Sequence, residues 1–375
     1  LGHFATAKWF GIQVMEFGFG FPPRAFSFKR GDTIYSLNWI PIGGFVKMLG
    51  EEDPEHPRSF AGQSATKRII VLAAGSVMNL VFPIIVFTVI LSLPQDTLVG
   101  TVTISGVAPD SPADQVKLRP GDAVISVNGK NIDNHMELVM TVMKNLGDPT
   151  VLGIRRGNFV TGLGSSPEFA SLDKVTVVPR FDPPEYIVVE AVGDSSREIL
   201  LSTARRYDHR LNVGDTMTQG AVGVMIGTTN PRVIKKSYPV WESFPMSFNR
   251  VADVLILTKN GIATWISGGP DPGIAGPIGI AQVTGEIASE GISPVLELMA
   301  LISISLGIMN LLPIPALDGG RLLFVGIEWI RGGKRISPQR EGLVHMIGFA
   351  VLLGLIVIMS YFDIVRLLTN NSLIR

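Results

Sequence analysis

Three long apolar runs and one short one divide this chain. Residues 69–93 carry no charged side chain, and the runs 294–320 and 343–368 carry few. An α-helix needs about 20 apolar residues to cross a hydrocarbon core of about 30 Å, so the pattern predicts a membrane-spanning helix in each run. Residues 1–10 have the pattern of the last turns of another helix, the end of a truncated first spanning segment, with Gly11 as its stop.

The remaining segments have other periodicities. Residues 11–68 alternate apolar and polar side chains in short runs that are rich in glycine and aromatic residues, which predicts short strands joined by turns. Residues 97–227 have the composition of a soluble α+β domain, with one helix near 136–146 and a polar, irregular insertion near 181–218. Residues 228–293 are amphipathic and indicate a helix that lies at the membrane interface.

The composition supports a membrane protein. The 375 residues are 46% hydrophobic and only 17% charged, with a mean hydropathy of +0.35. This is too apolar for an ordinary soluble protein. The net charge is zero, so nothing indicates a nucleic-acid partner. Cysteine does not occur in the sequence, which excludes a disulfide framework, a thiol nucleophile and a thiolate metal ligand.

The distribution of basic residues predicts the topology. Arginine and lysine are concentrated in the connection 11–68 and in the short loop between the last two apolar runs. If each run crosses the membrane once, both connections lie on one side, and the positive-inside rule makes that side cytoplasmic. Residues 97–227 then lie outside, and His3 and Asp318 both come out near the cytoplasmic ends of their segments.

Two side chains at these ends carry candidate chemistry. Asp318 closes the third apolar run, and a carboxylate in such a run is costly in lipid, so it is by default a functional-site hypothesis. It also fits a helix-terminal carboxylate that faces water. A lone histidine such as His3 is more often a packed or interfacial residue than a metal ligand, but the shared depth of the two residues favours a common site. We interpret His345 and Asp363, in the fourth run, as packing or interfacial residues.

The motif around Asp318 resembles that of a known family. Asn310-x-x-Pro313-x-Pro315-x-Leu317-Asp318-Gly319 is similar to the Asn-Pro…Leu-Asp-Gly motif of site-2 proteases, the intramembrane zinc metalloproteases. Leu1-Gly2-His3-Phe4 is similar to the tail of their His-Glu-x-x-His motif. Further similarities follow the family's order along the chain: Gly43-Gly44-Phe45-Val46-Lys47-Met48 for its membrane-associated β-hairpin, Gly75-Ser76-Val77-Met78-Asn79 for its second helix, and Gly276-Pro277-Ile278 for the element before its third.

Residues 97–227 resemble a bacterial PDZ domain. Ser111-Pro112-Ala113, Pro120-Gly121-Asp122 and Val127-Asn128-Gly129 are similar to its turns in order and spacing. The resemblance is thus to the bacterial regulator-of-sigma-factor proteases that carry such a domain. It implies a multi-pass α-helical membrane protein with a membrane-associated β-hairpin region and an inserted extracytoplasmic PDZ domain of the α+β type.

The resemblance also implies zinc-dependent hydrolysis of peptide bonds within transmembrane helices. His3 and Asp318 are the implied Zn²⁺ ligands, near the cytoplasmic side of a bacterial inner membrane. The implied substrates are membrane-anchored proteins such as anti-sigma factors, cut in regulated intramembrane proteolysis, with the PDZ domain contacting a peptide or ectodomain. Six positions are implied in substrate binding: Asn310, Pro313, Gly43, Gly44, Phe45 and Asn79.

The sequence departs from the family at one point. The first histidine and the general-base glutamate are expected immediately before Leu1, and no His-Glu-x-x-His occurs within the 375 residues. Because position 1 is not Met, we expect a fragment whose natural N-terminus lies upstream. A chain that begins at Leu1 is predicted to lack the base and to be inactive. The alternative is a membrane-anchored PDZ adaptor, a pseudoprotease that binds peptides without cleaving them; a transporter is disfavoured because no inverted repeat is found.

Overall fold

A computed structural model describes residues 1–51, 53, 55–156, 172–191, 197–268, 276–333 and 336–368, without the side chains of residues 21, 41, 42 and 338. The chain divides into two compact units. The first unit comprises Leu1–Ile90, Ser243–Val251 and Ala275–Arg375. The second unit comprises Leu91–Glu242 and Ala252–Ile274. Each unit is organised around its own apolar core, and the two are therefore described one after the other.

Strands dominate the middle of the chain, and helices dominate its C-terminal part. The first elements are α1 (Gly2–Trp9), β1 (Val14–Arg30), β2 (Thr33–Met48) and α2 (Ala65–Ser92). They are followed by β3 (Gln95–Val107), α3 (Pro112–Gln115), β4 (Ala123–Val127), β5 (Lys130–Asn131), α4 (His135–Lys144), β6 (Thr150–Arg155), β7 (Leu172–Val177), β8 (Glu185–Val189), β9 (Glu198–Leu200), α5 (Leu201–Tyr207), β10 (Thr216–Thr218) and β11 (Val224–Lys236). The last elements are α6 (Val240–Ile266), α7 (Pro277–Ala288), α8 (Ile292–Leu311), α9 (Asp318–Ile330) and α10 (Pro338–Leu368).

Within the described residues, three helices are long and apolar enough to cross a membrane. They are Ala65–Ser92, Ile292–Leu311 and Gln339–Leu368. Each overlaps one of the three apolar runs of the sequence. Length and composition alone support this assignment, and they agree with a membrane protein.

The prediction of one continuous helix over 294–320 is wrong at its end. The helix stops at Leu311, and a separate helix begins at Asp318. Pro313 and Pro315 explain the break, because proline lacks an N–H donor and forces the residue before it out of the helical region. Leu312 is accordingly extended, with ψ 145°. The break puts Asp318 at a helix N-terminus instead of inside a helix.

Residues 14–48 form one long antiparallel hairpin, where the sequence predicts several short strands. Its two strands fold back, so that residues 14–19 pair with 44–48 on one side and residues 16–19 pair with 34–37 on the other. Gly20 lies in the bend with φ +78°, and a Cβ there would lie 2.6 Å from the carbonyl oxygen of Ile40. Residues 44–48 therefore form an outer strand, and no further strand pairs with it among the described residues.

One apolar cluster holds the hairpin between α1, α2 and α9. Its buried members include Ala7, Val14, Met48, Val71, Leu72 and Val325. Full burial of a valine, leucine or methionine side chain stabilises a fold by about 1.5–3 kcal/mol. The cluster fixes the two helices that carry His3 and Asp318 against the open end of the hairpin.

The second unit contains an antiparallel sheet with the strand order β11-β3-β4-β6-β7, and β5 beside β4. The first two strands pair from Val224 with Val107 to Lys236 with Gln95. The predicted boundaries 97 and 227 are therefore too narrow, because β3 and β11 remain paired as a two-stranded ribbon beyond the core of the domain. Residues 157–171 of the predicted domain lie outside the described residues.

The insertion near 181–218 is ordered where it is described, and the prediction of an irregular segment is wrong there. Three strands in the order β10-β8-β9 and helix α5 pack around a small core. The core consists of Val188, Ile199, Ala204 and Met217. Two of the strands are only three residues long, which is too short for periodicity to indicate them. Residues 192–196 lie outside the described residues.

The prediction of a helical interfacial region over 228–293 is wrong at its start, because residues 228–236 belong to strand β11. The rest of the stretch contains α6 and α7, and residues 269–275 lie outside the described residues. Along α6 several large apolar side chains are exposed: Trp241, Phe244, Phe248 and Trp265. Such side chains suit a membrane interface. An interfacial position of this helix stays a prediction.

Asp363 caps α7 from the last helix. Its carboxylate accepts hydrogen bonds from the N–H groups of Gly279 (2.8 Å) and Gly276 (3.3 Å), which belong to the donors that a helix N-terminus leaves unsatisfied. A Cβ at Gly276 would lie 2.6 Å from Asp363 Oδ2, so only glycine permits this approach. The interpretation of Asp363 as a packing or interfacial residue therefore omits its main role, the cap of a helix distant in sequence.

Replacing Asp363 by alanine is expected to destabilise the protein by about 1–2 kcal/mol, because the two N–H groups lose their acceptor. Asparagine retains a carbonyl oxygen and should cost less. The measurement is the free energy of unfolding in detergent micelles. Glu286→Ala, at an exposed position of α7, is the control, and equal effects of Glu286→Ala and Asp363→Ala would argue against the cap.

Candidate metal centre

His3 and Asp318 meet in the first unit. The Nδ1 atom of His3 lies 2.8 Å from the carbonyl oxygen of Val71. A carbonyl oxygen only accepts hydrogen bonds, so Nδ1 carries the proton and donates it. The other ring nitrogen, Nε2, lies 3.1 Å from Asp318 Oδ2, and the two side chains are 24% and 25% exposed. The pair is therefore held by the fold and still reachable from outside.

The approach of His3 to α2 depends on glycine. A Cβ at Gly75 would overlap the His3 ring at Nε2, and a Cβ at Gly2 would overlap the carbonyl oxygen of Ala74. Val71 and Gly75 lie four residues apart, on one face of α2. Glycine is thus required at position 75 of the Gly75–Asn79 motif, because a side chain there would prevent the His3 imidazole from lying against α2.

Asp318 is aimed by the non-helical segment 312–317. Ala316 in this segment has φ +77°, which is uncommon for a residue with a side chain. Its N–H donates to Nδ1 of His345 in α10 (2.8 Å). A Cβ at Gly348 would overlap the same segment, so α10 holds it at close range. No local pattern indicates this role of His345, because its partner is 29 residues away.

A buried ion pair fixes the far end of α9. Arg68 in α2 donates to Glu328 at 2.6 Å, and the two side chains are only 8% and 12% exposed. Losing one partner of such a pair leaves a buried charge, which costs about 3–5 kcal/mol. The helix that begins with Asp318 is therefore anchored at both ends.

The implied substrate residues Asn310, Pro313 and Asn79 lie on α8, on the segment after it and on α2. Asn310 is half-buried in the last turn of α8, and Pro313 is exposed just beyond. The main-chain carbonyl of Asn79 accepts a hydrogen bond from Ser303 Oγ (2.8 Å). Asn79 thus takes part in packing α2 against α8. Substrate contacts of these three residues stay predictions.

The other implied substrate residues lie on the hairpin. Gly43 and Gly44 are exposed, and Phe45 is half-buried. A Cβ at Gly18 on the paired strand would overlap the Phe45 ring, so this ring already covers the neighbouring strand. The Phe45 ring therefore packs within the hairpin, and residues 44–48 form the outer edge of the hairpin. Substrate binding by this edge stays a prediction.

Comparison with known proteins identifies the family. A model of peptidase family M50 matches residues 1–355. The chain belongs to this family. Zinc metalloprotease RasP of Oceanobacillus iheyensis is 28% identical over 449 aligned positions, which cover 98% of this chain and 95% of the relative. Zinc metalloprotease RasP of Geobacillus kaustophilus is 27% identical over 446 positions, covering 97% and 93%. Peptidase family M50 is the site-2 protease family, so the resemblance read from the motifs is confirmed.

The donor atoms of this M50 chain fit zinc, the metal in both relatives' names. Because His3 Nδ1–H binds Val71, Nε2 turns a lone pair toward a carboxylate oxygen at 3.1 Å. Two such acceptors repel unless a proton or a metal ion lies between them. Zn²⁺ takes imidazole nitrogen and carboxylate oxygen as ligands at about 2.0–2.2 Å, and a carbonyl on the second ring nitrogen is common in its sites.

His3 and Asp318 would supply two positions of a tetrahedral set. Over the part of the chain that the structure describes, no group of three His, Cys, Asp or Glu side chains could hold a metal ion. Structural zinc sites have four protein ligands, and catalytic ones have three plus water. Among the described residues the pair is thus a partial ligand set.

Proposed function

We propose that this M50 peptidase is an intramembrane zinc metalloprotease. Its substrates would be transmembrane helices of membrane-anchored proteins such as anti-sigma factors, cut in regulated intramembrane proteolysis. The observation that carries the proposal is the approach of His3 Nε2 to Asp318 Oδ2 at 3.1 Å, in a protein with helices apolar enough to cross a bilayer. Zn²⁺ bound there would polarise the peptide carbonyl and activate a water molecule.

The chain's own residues hold and orient this centre. His3 and Asp318 would hold the metal through Nε2 and a carboxylate oxygen. The hydrogen bond from Ala316 to His345 fixes the main chain just before Asp318. Asn310 donates its side-chain amide to a carbonyl oxygen of the substrate, an interaction that contributes about 3 kcal/mol in a dry site.

The outer hairpin strand 44–48 binds the substrate main chain. One side of this strand pairs with residues 14–19, and the opposite side is the proposed position of an extended substrate segment. A substrate helix must unwind before hydrolysis, because its carbonyls are engaged within the helix. The strand edge then supplies replacement hydrogen bonds in a membrane, where unsatisfied main-chain groups are costly. Gly43 and Gly44 allow the close approach of a second main chain.

We assign the centre to the cytoplasmic side of a bacterial inner membrane. The basic residues of the connection 11–68 and of the loop before α10 support this orientation. The second unit, which resembles a PDZ domain, then lies outside the cytoplasm. There it would contact a peptide or the ectodomain of a substrate and restrict which proteins reach the zinc centre.

The second unit also supports a second candidate function. Helix α4 lies beside the edge strand β11: the His135 N–H donates to Thr228 Oγ1 (3.1 Å), and His135 Nδ1 lies 2.8 Å from the same oxygen. PDZ domains bind an extended peptide by adding it to a sheet edge. A protein with this unit and no hydrolysis would be a membrane-anchored PDZ adaptor, a pseudoprotease.

Cleavage in liposomes separates the two functions. The protein, expressed from its complete gene, is reconstituted with a single-pass membrane protein that is labelled at both ends. We expect cleavage inside the membrane-spanning segment that stops when zinc is chelated and resumes when Zn²⁺ is restored. A chain that begins at Leu1 is the control and should not cleave, since it contains no His-Glu pair before His3. Peptide binding without zinc-dependent cleavage by either protein would favour the adaptor.

A further inference from the structure

Glu51 uses both of its carboxylate oxygens, and the two contacts lead in different directions. Its Oε1 accepts a hydrogen bond from the N–H of Met48 (3.1 Å), the last residue of the outer strand. Its Oε2 accepts one from Nη1 of Arg321 (2.8 Å). Arg321 lies in the first turn of α9, three residues after Asp318. One side chain thus connects the end of the proposed substrate-binding edge to the helix that carries the proposed metal ligand.

The loop that carries Glu51 is itself held in place. The Leu49 N–H donates to the carbonyl of Gln13 (2.9 Å), and the Phe60 N–H donates back to the carbonyl of Leu49 (2.8 Å). Gly50 has φ +55°, and a Cβ there would lie 2.6 Å from Ser59 Cβ. Because these main-chain contacts fix the loop, the position of Glu51 follows the position of the strand.

The surroundings of Arg321 are polar and roomy. A cavity of ≈ 160 Å³ is lined by residues that include Glu51, Arg68, Arg321, Glu328 and His345. A side chain beside such a cavity has other positions available once its partner is removed. The contact with Glu51 is therefore what selects the observed position of the Arg321 guanidinium relative to the loop.

We propose that Glu51 and Arg321 are positioning residues, which set the register between a substrate strand on residues 44–48 and the Asp318 carboxylate. This inference rests on the proposed function, since it assumes a substrate on that edge. Reacting atoms must come within about 3–3.5 Å in a productive geometry, and an error of about 1 Å can cost about 100-fold in rate. The Arg321 side chain is 41% exposed and that of Glu51 26%, and ion pairs near the surface add little stability. The role is geometric, and variants at both positions are expected to fold.

Glu51→Gln is the diagnostic variant. In glutamine an NH2 donor replaces one of the two carboxylate oxygens, so at the observed side-chain position it faces the donor of either Met48 or Arg321, and that hydrogen bond is lost. Arg321→Gln removes the same bridge from the other side. Asp32→Asn is the matched control, because Asp32 forms an exposed ion pair with Arg58 at 3.0 Å that does not involve α9.

Two measurements test the proposal. In the liposome assay, Glu51→Gln and Arg321→Gln should each lower kcat by about 10- to 100-fold with KM and zinc content near wild type. Mass spectrometry of the products should show cleavage at additional peptide bonds. The double variant should be no worse than either single variant, because both remove one bridge. Asp32→Asn should cleave at the wild-type position.

The second measurement does not require activity. The chain contains no cysteine, so spin labels on cysteines introduced at Lys47 and at Leu323, both exposed, report the distance between the outer strand and α9. This distance should be narrowly distributed in the wild type and broader in Glu51→Gln. An unchanged distribution in both bridge variants would overturn the proposal. If the distribution broadened in Glu51→Gln but the wild-type protein never cleaved a substrate, the role of Glu51 in positioning the strand would stand and the proposed function would be refuted.

Discussion

Replacing Asp318 by asparagine is expected to lower the affinity of this protein for Zn²⁺ by more than about 100-fold, because it removes a charged ligand from the metal itself. His3 would then be left with an uncharged amide near Nε2, which is 3.1 Å from the carboxylate in the wild type. Zinc-dependent cleavage should fall with the metal. The measurement is zinc stoichiometry and affinity of the purified protein in detergent, followed by the liposome assay.

Glu297→Gln provides the control for this experiment. It also removes one negative charge from an apolar helix of the first unit, but Glu297 pairs with Arg250 at 2.6 Å on the exposed side of α8. We expect its zinc affinity to equal that of the wild type. If Asp318→Asn bound zinc as tightly as Glu297→Gln, Asp318 would not be a ligand and the proposed centre would be wrong.

Replacing Gly75 by alanine is expected to have the second-largest effect. The new Cβ would overlap the His3 ring at Nε2, so either the imidazole or α1 must move. We expect a loss of zinc affinity of about 10- to 100-fold, comparable to the loss of an outer contact of a metal site, although Gly75 itself binds no metal. Zinc affinity and the free energy of unfolding, measured on the same preparation, test this result.

Gly354→Ala separates this effect from helix propensity. Gly354 lies in α10, and a Cβ added there would have no neighbouring heavy atom within 4 Å, so alanine should stabilise the helix by up to about 1 kcal/mol. At Gly75 the same substitution should lower zinc affinity despite the same gain in propensity. Wild-type zinc affinity in Gly75→Ala would show that His3 does not need its observed position.

The sequence determined the elements whose signal is local. A run of apolar residues such as 69–93 predicts its helix, because an α-helix satisfies its main-chain groups internally while its side chains remain in an apolar environment. The Pro313 and Pro315 pair likewise contains the information for the helix end at Leu311, since the effect of proline is confined to its neighbours. That the chain is an M50 peptidase was also readable, from motifs around His3 and Asp318.

The tertiary structure decided the contacts between residues that are far apart in the chain. Asp363 as the cap of α7, His345 as the support of Ala316, and Glu51 as the bridge to Arg321 join residues separated by 29 to 270 positions. No periodicity indicates them, because helix and strand patterns record only which side of an element is buried, not what lies against it. The ordered insertion, in which two of the three strands have only three residues, escaped prediction for the related reason that its stability comes from packing. Local hydrophobic patterns thus predicted the long apolar helices, and side-chain packing across the first unit decided how the elements bring His3 and Asp318 together.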